Sequence, residues 1–117
     1  MEVKMNLIKV SELVNGTIQL GCDVQHDFTT AFSSDLMSDV LRFPMEKTIL
    51  ITGLSNIQTI RTAEMSNIQC IIFVRNKKVS DDMIELAEEN NISLITTSLT
   101  LFEVSGKLYG NGIKPVY

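Results

Sequence analysis

Three short apolar runs dominate the second half of the chain: TILITG (residues 48–53), CIIFVR (70–75) and ISLITTS (92–98). Each is followed by an amphipathic segment of about a dozen residues, the spacing of strand–helix–strand units. Strands joined through helices run parallel, and the helices cover the sheet. The expected fold is therefore α/β, a single layered domain with a mostly parallel sheet flanked by helices. Such a sheet gathers its strand exits and helix N-termini along one edge, where small anions bind.

End signals place the remaining elements. Residues 10–16 (VSELVNG) read as a short helix capped by Ser11, with Glu12 in its first turn and Gly16 as its stop. Residues 17–22 (TIQLGC) read as a strand, and DFTTAF (27–32) as an edge strand crossing toward the next helix. That helix opens at Ser33 or Ser34. It carries Leu36, Met37, Val40 and Leu41 on one face and Asp35, Ser38, Asp39 and Arg42 on the other, and it stops at Phe43-Pro44. Gly53 makes the turn after the first run, and Ser55 or Asn56 caps a helix that turns Ile57, Ile60 and Ala63 inward. From residue 81 to about residue 90, Asp81, Asp82, Glu85, Glu88 and Glu89 fill one arc of a helix, with Met83, Leu86 and Ala87 on the other. Thr100 and Glu103 form a capping box for a closing helix that buries Leu101, Val104 and Leu108 and ends at Gly110-Asn111-Gly112. IKPVY (113–117) is a short tail. No linker interrupts the pattern, so residues 1–117 read as one domain.

Bulk properties narrow the function classes. A formal charge of −4 argues against non-specific nucleic-acid binding, which needs Lys and Arg to neutralise phosphates. No run approaches the roughly 18 apolar residues that cross a bilayer. The N-terminal MEVKMNLIKV lacks a long apolar stretch, and Cys22 and Cys70 lie far apart, so two reduced thiols in the cytoplasm are expected.

Candidate chemistry is sparse. No G-x-x-x-x-G-K-[ST] phosphate loop is present; GLSNIQT (53–59) has one glycine and no lysine. His26 is the only histidine. The spacing Cys22-x-x-x-His26-Asp27 suits a zinc site only if further ligands join, and it reads as a turn histidine beside a buried cysteine. Asp35 and Asp39, four apart, read as a solvated helical face. No catalytic residue, metal or cofactor is expected.

The strand-to-helix turns are the best candidate for a ligand site. Gly53, Ser55 and Asn56 follow one strand, Arg75 and Lys77 the next, and Thr97, Ser98 and Thr100 the third. Together they could hold a nucleotide phosphate or a small carboxylate; the plainer alternative is helix capping beside a solvated basic loop. Phe102 and Tyr109, seven apart on the closing helix, and Met37 are the candidate interface residues.

At this point the chain resembles a known family. SSDLMSDVL (33–41), TILITG with SNIQTIRTA (55–63), and residues 71–109 resemble the DRTGG domain family, over roughly residues 8–112. The name-giving signature should fall near residues 25–32, which here read QHDFTTAF. A later TGG turn is replaced by FVR (73–75), and Val79 stands near the place of a usual proline. The resemblance implies a fold similar to the N-terminal domain of HPr kinase/phosphorylase. Such domains also occur between CBS domains in some pyrophosphatases and beside phosphotransacetylase. It implies a regulatory or interaction domain that self-associates as a homodimer, with catalysis residing in other domains. The alternative is a small-molecule sensor holding a phosphate-containing ligand at the strand-to-helix turns. A protein partner or a small anion would then be its ligand, with neither nucleic acid nor membrane involved.

Overall fold

The computed structural model describes residues 2–23, 25–42 and 45–116. The three apolar runs form β5 (Thr48–Thr52), β6 (Cys70–Phe73) and β7 (Ser93–Thr96), preceded by β1 (Met5–Asn6), β2 (Thr17–Leu20), β3 (Asp27–Phe28) and β4 (Thr30–Ser33) and followed by β8 (Lys114–Pro115). The helices are α1 (Leu7–Leu13), α2 (Met37–Val40), α3 (Ile57–Met65), α4 (Asp81–Glu89) and α5 (Leu101–Gly110).

The main sheet has strand order β2-β7-β6-β5-β4-β8. β8, β4, β5, β6 and β7 run parallel, and β2 is antiparallel to β7. Alternation along the central strands feeds two cores. Ile49, Ile51, Cys70, Ile72 and Ile95 pack with Val10, Val104 and Leu108 of α1 and α5. Leu50, Ile71, Phe73 and Leu94 pack with Val40, Ile60, Ala63, Met83 and Ala87 of α2, α3 and α4. Burial on both faces explains why these strands read as continuous apolar runs.

Several ends differ from expectation. Asn6, not Ser11, caps α1, accepting the Lys9 N–H at 2.9 Å. Ser11 lies buried inside the helix and donates to the Gly16 carbonyl. Asn15, not Gly16, takes the left-handed turn, at φ 53°, because an Asn side chain tolerates that region. DFTTAF is split at Thr29. Its first part pairs with β1 in a separate small ribbon, and its second becomes an interior strand between β5 and β8. The supposed tail supplies β8, whose proline is tolerated because the strand lies at the sheet edge. α2 starts only at Met37, because the Ser34 hydroxyl accepts the Leu36 N–H and holds the chain in a turn. Of its expected inner face, Val40 is buried while Leu36 and Leu41 are exposed. The expected stop at Phe43-Pro44 lies outside the described residues.

Gly112 has φ +102°, and a Cβ there would run into the Val3 side chain. Gly112→Ala is expected to destabilise the fold by about 2 kcal/mol, the scale of a forced left-handed residue plus a clash. The urea midpoint of the purified variant checks this.

Candidate functional site: the carboxyl edge of the sheet

The exits of β4, β5, β6 and β7 lie along one edge, joined there by the start of antiparallel β2. β6 leaves toward α4 on one face of the sheet, and β7 leaves toward α5 on the other. Neighbouring parallel strands whose connections part in this way leave a crevice between their ends, the usual ligand position in open α/β sheets. A cleft of about 640 Å³ lies there, lined by residues that include Asn15, Gln19, Lys77, Lys78, Thr96 and Ser98.

The β6 turn is held in an unusual shape. Arg75 and Asn76 both adopt left-handed backbone, at φ 60° and 59°. Their N–H groups donate to the Leu99 and Thr97 carbonyls at 2.8 and 3.0 Å, which ties the turn to the β7 exit. On the other side, Ser55 donates to the Lys78 carbonyl. Arg75 thus takes left-handed backbone without being a glycine. Lys77 and Lys78 project from this pinned loop, exposed, and among the described residues no salt bridge engages either.

Beside the crevice, Asp35 binds the β5 exit. Its Oδ1 accepts the Gly53 N–H at 2.7 Å and the Thr52 hydroxyl at 2.9 Å, and its Oδ2 lies 3.7 Å from Arg75 Nη2. The Gly53 N–H above all holds the Asp35 carboxyl below its ordinary range; burial opposes this, and Thr52, Arg75 and Lys77 add to it. Asp35 is thus no part of a solvated helical face, because the backbone is still non-helical where it stands. A Cβ on Gly53 would collide with the Arg75 guanidinium. Glycine serves there by leaving room for that side chain, since its φ is outside the left-handed region.

The candidate residues divide accordingly. Lys77, Thr97 and Ser98 line the crevice, but the Thr97 hydroxyl is occupied by the Val14 carbonyl at 2.7 Å. Thr100 is occupied by its capping box, and Asn56 caps α3 by accepting the Thr59 N–H at 2.9 Å. Gly53, Ser55 and Arg75 shape or brace the lysine loop from the β5 side. Sequence reasoning missed Asn15, Thr17 and Gln19, which reach the crevice because β2 runs antiparallel along β7. Gln19 Nε2 donates to Thr96 Oγ1 at 3.0 Å, leaving that hydroxyl its own proton to donate.

Elsewhere, His26 packs edge-on against Phe28 with ring centroids 5.1 Å apart. Cys22 and Cys70 are free, and burial raises both thiols above their ordinary range. Among the described residues no cluster of three His, Cys, Asp or Glu could hold a metal ion, and no helix is long and apolar enough to cross a membrane. Phe102 and Tyr109 point outward from α5, 86% and 71% exposed. Met37 is half-buried against the core on the opposite face of the sheet, so it shares no patch with them.

These features define an α/β domain with a polar crevice at the strand exits. The chain belongs to the DRTGG domain family, which matches residues 7–110. It is similar in fold to the crystal structure of the CBS and DRTGG domains of the regulatory region of Clostridium perfringens pyrophosphatase, complexed with the activator diadenosine tetraphosphate. The TM-score is 0.77 at 21% identity, over 95% of this chain and 48% of that one. The chain therefore spans about half the length of that structure. No curated protein matches it significantly by sequence.

Asp35→Ala removes the acceptor for the Gly53 N–H and is expected to cost about 1 kcal/mol at neutral pH, discounted because the carboxylate is half exposed. A carboxyl with a depressed folded pKa stabilises fully above its unfolded value, about 3.9, and loses that contribution as pH falls through the folded value. The gap between wild type and variant, measured by denaturant titration, should therefore narrow below about pH 4.

Proposed function

We propose that this chain is a regulatory domain without catalysis of its own, which responds to a small phosphate-bearing ligand held at the carboxyl edge of its sheet. The observation that carries the reading is the crevice between the β6 and β7 exits, with Lys77 and Lys78 facing the Gln19, Thr96 and Ser98 side chains. Cations and hydroxyl or amide donors converge there at the position where α/β sheets bind ligands. The crystal structure of a similar fold contains a phosphate-rich activator, which supports the same class of ligand. Free thiols at Cys22 and Cys70 suit the cytoplasm, where such ligands occur.

Titration with pyrophosphate, ADP and ATP, each with and without magnesium, should raise the melting temperature. At ten times Kd the gain is about 1.4 kcal/mol, or roughly 5 °C for a domain of this size. Lys77→Glu with Lys78→Glu should abolish the shift. A flat response across the series, or an undiminished shift in the double variant, removes the reading.

Self-association as a homodimer is a second reading. Large aromatic side chains are rarely left on a solvent-facing helix, and the exposure of Phe102 and Tyr109 favours a covered surface. Sedimentation of the full chain at tens of micromolar should give twice the monomer mass; a strict monomer rejects this reading and leaves the crevice untouched.

A further inference from the structure

We propose that the outward face of α5 is where a second copy of this chain docks, helix against helix and antiparallel. The proposal rests on the homodimer reading and assigns its surface. Buried Val104 and Leu108, with the 2.7 Å hydrogen bond between the Ser33 and Ser105 hydroxyls, fix the rotation of α5 on the sheet. At about 100° per residue, the outer arc then presents three strips. Phe102 and Tyr109 form one side, Gly106 and Gly110 the middle, and Glu103 and Lys107 the other side.

Gly106 is the unexplained residue. A glycine inside a helix costs about 1 kcal/mol relative to alanine. Nothing lies within 4 Å of the place where its Cβ would be, and its φ is not left-handed. Neither packing nor backbone geometry within the chain calls for glycine there. A second helix approaching closely from outside does.

The flanking strips select the partner. A two-fold axis that sets two copies of α5 antiparallel keeps each strip on its own side of the contact. Aromatic then meets aromatic, with Phe102 across from Tyr109 of the second copy. Acid meets base, with Glu103 across from Lys107. Both pairings share one centre, at Ser105–Gly106. A parallel arrangement exchanges the sides and sets aromatic rings against charges. The face is therefore complementary to itself in one orientation, as an isologous contact requires.

The test is the mass of the full chain by sedimentation equilibrium, with wild type compared to three variants. Gly106→Met favours the helix but blocks close approach, so it should give a monomer whose far-ultraviolet circular dichroism matches wild type, which separates lost association from lost folding. Lys107→Glu should weaken the dimer about tenfold, the scale of losing two facing ion pairs and creating repulsion. Glu103→Gln combined with Lys107→Glu keeps a capping side chain at position 103 and removes the facing repulsion, so it should restore part of the lost association. A monomeric wild type overturns the homodimer reading itself. A wild-type dimer that survives Gly106→Met, or whose weakening by Lys107→Glu is not relieved by adding Glu103→Gln, overturns the α5 assignment alone.

Discussion

The carboxyl edge of the sheet depends on one strained turn. Arg75 and Asn76 both stand in left-handed backbone, which Asn tolerates but which costs a residue such as Arg75 roughly 1–2 kcal/mol. The turn persists because it is fastened on both sides. Hydrogen bonds from its N–H groups hold it to the β7 exit, and contacts with Ser55 and Asp35 hold it to the β5 exit. Release of either side would swing Lys77 and Lys78 away from the crevice. The fold thus places two exposed cations on a loop fastened at both sides, which reduces the entropy lost when a ligand arrives.

This arrangement bears on the family pattern. DRTGG-like sequences are expected to carry glycines where this chain has Phe73–Arg75, and glycine tolerates positive φ without strain. Here Arg75, within that stretch, is left-handed without being glycine. The Arg75 side chain turns back over Gly53 instead, into space that only a missing Cβ leaves open.

Much of this was legible in the sequence, and the illegible parts share a cause. β5, β6 and β7, α3, α4 and α5, and the capping box at Thr100 all follow from local pattern. What escaped depends on contacts far apart in the chain. Asp35 looks like a helical residue because Asp39 stands four positions on, yet its partners are Gly53 and Arg75. β4 and β8 look like an edge strand and a tail because each is too short to declare itself without its neighbour. Asn15 and Gln19 join the crevice only because β2 runs antiparallel beside β7. Their spacing alone does not say which way Phe102 and Tyr109 face; the rotation of α5, set by Val104, Leu108 and Ser105, turns both rings outward.

The contact between Val3 and Gly112 has a consequence for architecture. Val3 and Gly112 meet within the reach of one side chain, even though strands β1 to β7 lie between them in the chain. A unit of that shape can be spliced into a surface loop of another protein without prising the loop open. Its host would gain a self-contained module on a narrow stalk.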